Sequence, residues 1–258
     1  MPSNYAHYRF SRLAEERLPE AMRKSVQRFH RLYEVGHHGP DLFFNYNIFF
    51  HTAVGSLGSS LHRQTGTVFF TRVCKRVRQD PSEAALSYLW GLLGHYCLDS
   101  VCHPLVHAET DGGDLGHVEV ETEFDRYLME LDGHTPAHTQ DFSAHMKLRK
   151  GECMTAAVFF PPCKWGHLYQ ASHNMALHTC LLANAPHELA RKVLSAAGED
   201  IAQQLMPLEE NSRCAHLDQP LLELFNEALE RYPRMLLALQ DHLEKGTPLG
   251  EDFAPDFG

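Results

Sequence analysis

The sequence predicts an all-α fold, a multi-helix bundle, and three observations carry that reading. Apolar residues return at helical intervals of three and four through most of the chain, as in the stripe Leu189, Val193, Ala197, Ile201 and Leu205. No segment alternates apolar and polar residues as a half-buried strand does. Stretches containing proline and glycine fall between the periodic segments, where helices would stop. At 258 residues the chain reads as a single all-helical domain over 1–258, with the chemistry concentrated in about 1–135, further helices in about 150–245 and a loosely ordered tail at 246–258.

Taken in order, Ala6 to Arg17 has the pattern of a short helix. Pro19 opens a second, in which Met22, Val26, Phe29 and Tyr33 step at helical intervals and Gly36 ends the run. Gly39-Pro40-Asp41 forms a turn that leads into Phe43 and Phe44, with Asp41 at an element boundary. The Gly- and Ser-containing stretch from Asn45 to Ser60 reads as irregular, and a helix carrying Val68, Phe69, Val73 and Val77 follows Leu61-His62-Arg63. Asp80-Pro81-Ser82-Glu83 has the form of a capping box with Asp80 as N-cap, announcing a helix around His95. Leu86, Trp90, Leu93 and Cys97 make one apolar face of that helix, while Leu92 and Tyr96 share another with His95, Asp99 and His103. Such a helix is buried nearly all round. Gly91 and Gly94 lower its helix propensity, which fits a second backbone approaching closely there. Pro104 and a glycine-rich loop, Asp111 to Gly116, separate it from a helix that begins at His117, runs through Phe124, Leu128 and Leu131, and breaks at Asp132-Gly133. Beyond residue 140, Glu152–Phe160, Trp165–Ala183, Pro186–Met206 and Pro220–Lys245 carry helical spacing, and Pro161-Pro162, Pro207 and Pro233 separate or kink them.

The stretch from His95 to Glu121 reads as a metal site. His95, Asp99 and His103 are four residues apart, so one helix presents all three along one face, about a turn between neighbours. His117 and Glu121 repeat the step at the start of the next helix. Imidazole nitrogens mixed with carboxylate oxygens suit Zn²⁺, and ligand type alone leaves Mn²⁺ and Fe²⁺ open. These residues are interleaved with Leu92, Leu93, Val101, Val120 and Phe124, and buried ionisable groups need partners.

Composition narrows the partners. With 23 Lys+Arg against 33 Asp+Glu the formal net charge is -10, so the chain has no general attraction for nucleic acid or anionic membranes. Its 19 histidines are the compositional outlier. Seven cysteines without a CxxC pair, no readable signal peptide and no long apolar run point to reduced thiols, a cytoplasmic setting and no transmembrane segment. There is no HExxH motif, and no Ser or Cys nucleophile motif is readable.

Several elements in a fixed order resemble the zinc-dependent phospholipase C family, which shares its all-helical fold with P1/S1-type nucleases. They are Asn4-Tyr5-Ala6-His7-Tyr8-Arg9-Phe10, Gly39-Pro40-Asp41, Leu61-His62 followed by Phe69-Phe70, His95-Tyr96-Cys97-Leu98-Asp99, His103-Pro104, and His117-Val118-Glu119-Val120-Glu121. The resemblance implies two to three zinc ions between helices. Asp41, His62, His95 and Asp99 would hold the first; His103, His117 and Glu121 the second; His7, with Asp99 as a bridge, would help hold a third. Secreted members complete that third site with the amine of a processed N-terminal Trp, whereas this chain begins Met-Pro-Ser. His51 competes with His62, and His107 with His103. His37, His38, His134, His138, His167, His173, His178 and His216 are read as core or solvent histidines.

The implied activity is metal-dependent phosphoester hydrolysis, a metal-bound hydroxide attacking a phosphodiester with Asp41 and Asp99 as the catalytic carboxylates and a phospholipid head group as one substrate. A nuclease or phosphomonoesterase on the same fold is the nearest alternative, and a non-catalytic metal-binding helical protein the next. The acidic chain disfavours nucleic acid, its longest basic run being Lys75-Arg76-Val77-Arg78.

Overall fold

In the computed structural model, which describes residues 4–48 and 50–258 and only the backbone at 199 and 200, the apolar stripes are buried as helices around one long central rod. In chain order these are α1 (Asn4–Glu16), α2 (Glu20–Arg28), α3 (His30–Gly36), α4 (Ala53–His62), α5 (Gly66–Gln79), α6 (Glu83–Thr110), α7 (His117–Leu131), α8 (Lys150–Ala157), α9 (Trp165–Asn184), α10 (His187–Ala197), α11 (Glu199–Ala202) and α12 (Asp218–Lys245). A 3₁₀ turn, Gly39–Asn45, carries Asp41. The described residues contain no strand, and the fold is all-α.

The rod is α6, buried from Ala85 to Val106 on almost every side. Its N-cap is Ser82, whose hydroxyl accepts from the Ala85 N–H, rather than Asp80: the chain turns helical two residues later than the Asp-Pro pair suggests. Pro104 does not end it; the helix continues to Thr110, with Pro104 on its exposed side and His103 and Val106 buried. On one side lies α3, and a Cβ at Gly91 would stand 2.1 Å from the Tyr33 carbonyl oxygen. Of the two glycines noted in the sequence, Gly91 is therefore where backbone meets backbone, whereas Gly94 makes room for the His37 ring, 2.1 Å from where a Cβ would stand. On the other side α12 passes unbroken through Pro233, with the Tyr232 hydroxyl donating to the Trp90 carbonyl at 3.0 Å.

Two further elements frame the chemistry. The N-terminus of α1 is held by α7: both oxygens of Asp125 accept backbone N–H groups, from Tyr5 at 2.8 Å and Ala6 at 2.7 Å. Asp132 adds the Tyr5 hydroxyl and the Arg9 guanidinium. The stretch read as irregular, Asn45–Ser60, instead ends in α4, capped by Thr52, whose hydroxyl accepts from Gly55 N–H. Gly58 lets this helix lie close against the 3₁₀ turn, a Cβ there falling 3.1 Å from the Phe44 ring and 3.2 Å from the Pro40 carbonyl oxygen. The run from Pro19 to Gly36 is two helices rather than one, broken at Phe29.

The tail is also not loose. Phe253 and Phe257 are fully buried, with Phe257 against Phe69, Phe70 and Tyr96. A backbone hydrogen bond ties the Gly66 N–H to the Pro255 carbonyl at 2.9 Å, and the Tyr96 hydroxyl donates to the same carbonyl at 3.0 Å. The glycine and proline content shaped a strap, not a disordered end.

Candidate metal centre

Five segments deliver the eight sequence-predicted residues to one place. His7 comes from α1, Asp41 from the 3₁₀ turn, His62 from the last residue of α4, His95, Asp99 and His103 from α6, and His117 and Glu121 from α7. All but the α7 pair are buried.

Asp99 is the hub. One of its oxygens lies 3.0 Å from His95 Nε2 and 3.9 Å from both His62 Nε2 and His103 Nδ1, while the other lies 3.2 Å from His7 Nε2. Asp41 sits 2.9 Å from His62 Nε2 and 3.9 Å from His7 Nε2. Donor atoms of His7, Asp41, His95 and Asp99 all fall within 4.8 Å of one another, as do those of His103, His117 and Glu121. The grouping differs from the assignment that the resemblance implies: His7 stands inside the first cluster, and His62 flanks it through Asp41. Met1-Pro2-Ser3, on which the third-site reading turned, lies outside the described residues.

The competing histidines separate by position. His51 is exposed, whereas His62 is buried against Asp41. His107 is half-buried, its ring 5.7 Å from that of His103 and beside Asp111, while His103 reaches Glu121. His37 and His38 are wholly buried core residues outside the ligand set. Burial pushes His37 down to about 3 and His145, 2.7 Å from His38, down to about 4, so both stay neutral beside the cluster.

Three imidazoles share one arrangement. Nδ1–H of His62 donates to the Gly58 carbonyl at 2.8 Å, that of His95 to the His37 carbonyl at 3.1 Å, and that of His103 to the Phe257 carbonyl at 2.8 Å. A carbonyl can only accept, so each contact fixes the tautomer and leaves the Nε2 lone pair facing the carboxylates. Outer-sphere orientation of this kind is what metal-binding histidines use. His7 Nδ1, Asp41 Oδ2 and His95 Nε2 are buried without a well-formed hydrogen bond, a costly arrangement unless another group satisfies them. The donor chemistry and these unmet atoms fit zinc.

The tail strap belongs to this orienting shell, and the sequence offered no sign of it beyond two phenylalanines four residues apart. Phe257 accepts from His103 and donates its own N–H to the His62 carbonyl at 2.9 Å. Phe257→Ala, which removes the anchor of that strap, is expected to weaken zinc binding about 10- to 100-fold, measured by competition with a chromophoric chelator. Unchanged affinity would show that the strap only covers the core.

Electrostatics match a cluster built around cations. Burial favours neutral imidazoles, but Asp99 and Glu121 overcome it and hold His103 up at about 9, and His7 and His62 are likewise raised by Asp99 and Asp41. Burial alone would raise Asp99 and Glu121, yet the surrounding histidines hold both below the usual carboxylate range. Metal-free, the raised His103 contributes stability that is complete below its ordinary value of 6.5 and lost as pH climbs through about 9. The depressed carboxylates contribute stability present above their ordinary values of 3.8 and 4.5 and lost on acidification. The melting temperature of chelator-treated protein should thus fall between pH 6.5 and 9. Zinc binding at neutral pH should release at least about one proton, seen as calorimetric heats that depend on the buffer's ionisation enthalpy.

Asp41, His62, Asp99, His103, His117 and Glu121 open onto a cleft of about 190 Å³, whose remaining wall includes Phe44, Ser59 and Arg63. Ser59 and Arg63 have no ligand chemistry and so carry no metal-site signal in the sequence; they come from α4 and from the residue that follows its last, His62. No curated protein and no solved structure gives a significant match to the chain. The family model for zinc dependent phospholipase C matches residues 6–158, more than half of the chain and all eight clustered residues. The chain belongs to the zinc-dependent phospholipase C family.

Proposed function

We propose that this chain hydrolyses a phosphodiester in the manner of a phospholipase C, at the cleft above Asp41, Asp99 and Glu121. The observation that supports the reading best is the combination of buried, pre-oriented donors with an open side: six of the eight clustered residues face the cleft, where a phosphate ester can reach them. A closed structural metal site would leave no such face.

His7, Asp41, His95 and Asp99 would hold one zinc ion, flanked by His62, and His103, His117 and Glu121 a second. Bound there, zinc supplies Lewis acidity that activates water and neutralises charge on phosphoryl oxygens. The chain's own residues do the rest. Gly58, His37 and Phe257 carbonyls keep His62, His95 and His103 in one tautomer, so no reorientation is needed during turnover. Asp41, at the floor of the cleft and 2.9 Å from His62 Nε2, would take a proton from the attacking water on Oδ2. Arg63 faces the cleft mouth, where a non-bridging phosphate oxygen would pair with it.

No helix among the described residues is long and apolar enough to cross a membrane. Metal analysis of protein purified without chelators, followed by turnover of bis(p-nitrophenyl) phosphate and a phosphatidylcholine analogue, tests the reading. Two zinc ions per chain and zinc-dependent turnover are expected. Fewer than about one ion per chain, or no phosphoester turned over with zinc present, removes it.

A further inference from the structure

Beside the metal cleft lies a wider groove of about 630 Å³, and the two share Phe44, Ser59 and Arg63 as a common sill. One wall of the groove is α4 with its two caps: Ser56 and Ser59 on the helix, Thr52 as its N-cap and Arg63 just past its C-terminal end follow one another three or four residues apart, so three hydroxyls lead to one guanidinium. Asn47 and Gln204 add amides from other segments. Although the chain carries 33 Asp+Glu, no Asp or Glu lines this groove among the described residues. Arg63 is exposed and makes no ion pair among the described residues, and its charge faces whatever occupies the sill.

From this lining we infer that the groove takes a polyhydroxylated, sugar- or polyol-type group attached to the scissile phosphate, and discriminates against a quaternary ammonium head group. The inference rests on reading the neighbouring cleft as a phosphoester hydrolase site. Hydroxyls and amides pair with substrate hydroxyls in both donor and acceptor senses. A trimethylammonium has no hydrogen bond to offer and needs carboxylates or an aromatic cage. Among the described residues the groove supplies no carboxylate, its rings Phe44, His51 and the 72% exposed Phe50 lie along an open wall, and Arg63 repels a cation at the point where the phosphate enters. Arg63 and Ser59 are specificity residues in this scheme, and neither belongs to the metal cluster.

Calorimetric binding of inositol 1-phosphate, phosphocholine and thymidine 3′-monophosphate to the zinc-loaded full chain tests the assignment. Inositol 1-phosphate should bind at least about tenfold more tightly than phosphocholine. Arg63→Gln should weaken inositol 1-phosphate about tenfold and narrow that ratio, and Ser56→Ala, in the groove but not in the metal cleft, should weaken it while leaving inorganic phosphate unchanged. Equal or tighter binding of phosphocholine or of the nucleotide, or a ratio that Arg63→Gln does not move, overturns the inference. Turnover of bis(p-nitrophenyl) phosphate, measured on the same samples, keeps the two readings apart. Inositol preference without turnover sustains the groove assignment and removes the hydrolase; turnover without preference does the reverse.

Discussion

Asp99→Ala should lower phosphodiester hydrolysis by about a thousandfold or more and leave fewer zinc ions bound per chain than in the parent protein. The size follows from the position of this carboxylate. Among the described residues it is the one carboxylate that approaches His7, His62, His95 and His103 together, at 3.0 to 3.9 Å. Removing it withdraws a donor from the first cluster and also the negative charge that keeps four imidazoles together near the second. Those rings are buried and would repel one another when protonated, so zinc affinity falls at both clusters rather than one. Asp99→Asn separates charge from shape: it keeps the volume and one oxygen but not the charge, and should fall between Ala and the parent in metal content. Elemental analysis, circular dichroism and bis(p-nitrophenyl) phosphate kinetics on the three proteins decide it. Full metal content with full activity in Asp99→Ala would refute the hub.

Much of this centre was legible because its spacing is local. His95, Asp99 and His103 on one helix, and His117 with Glu121 on another, are four-residue steps that any α-helix turns into a row. The close approach at Gly91 was legible for a similar reason, a residue with a cost in one helix that only a neighbouring backbone explains. What stayed hidden depends on partners far away in sequence. The composition of α4 and its N-cap, with two glycines and four Ser and Thr from Thr52 to His62, argues against a helix by propensity, but Gly58 is needed for contact with Phe44 and Pro40, and three of the four hydroxyl residues line a groove. The strap at Phe253 to Phe257 has the composition of a flexible end and is held by aromatic burial against residues more than a hundred positions earlier. Likewise the acceptor of the Tyr5 and Ala6 N–H groups at the start of α1 is Asp125 on α7, more than a hundred positions later, which no local pattern can show.

Gly91→Ala should destabilise the protein by at least about 3 kcal/mol, because the added methyl meets backbone that cannot swing aside. Its Cβ would lie 2.1 Å from the Tyr33 carbonyl oxygen and 3.0 Å from the Gly36 Cα. Relief requires α3 to move off α6. That movement reaches the metal centre through a short path: α3 ends at Gly36, the next residue's carbonyl orients His95 Nδ1, and the turn holding Asp41 begins two residues beyond. Gly39, with φ +44, already sits where a Cβ would strike the His95 ring at 2.5 Å, leaving little slack to absorb a shift. The substitution should therefore lower both the denaturant midpoint and the zinc affinity, in a protein whose ligands are all intact. Gly151→Ala serves as the control, since a Cβ there meets nothing within 4 Å and the change should be neutral or slightly stabilising. A Gly91→Ala protein with the parent's midpoint would mean that α3 and α6 are not in backbone contact. One destabilised but unchanged in zinc affinity would mean that the packing and the metal centre are independent, and the orienting role of the His37 carbonyl would fall with it.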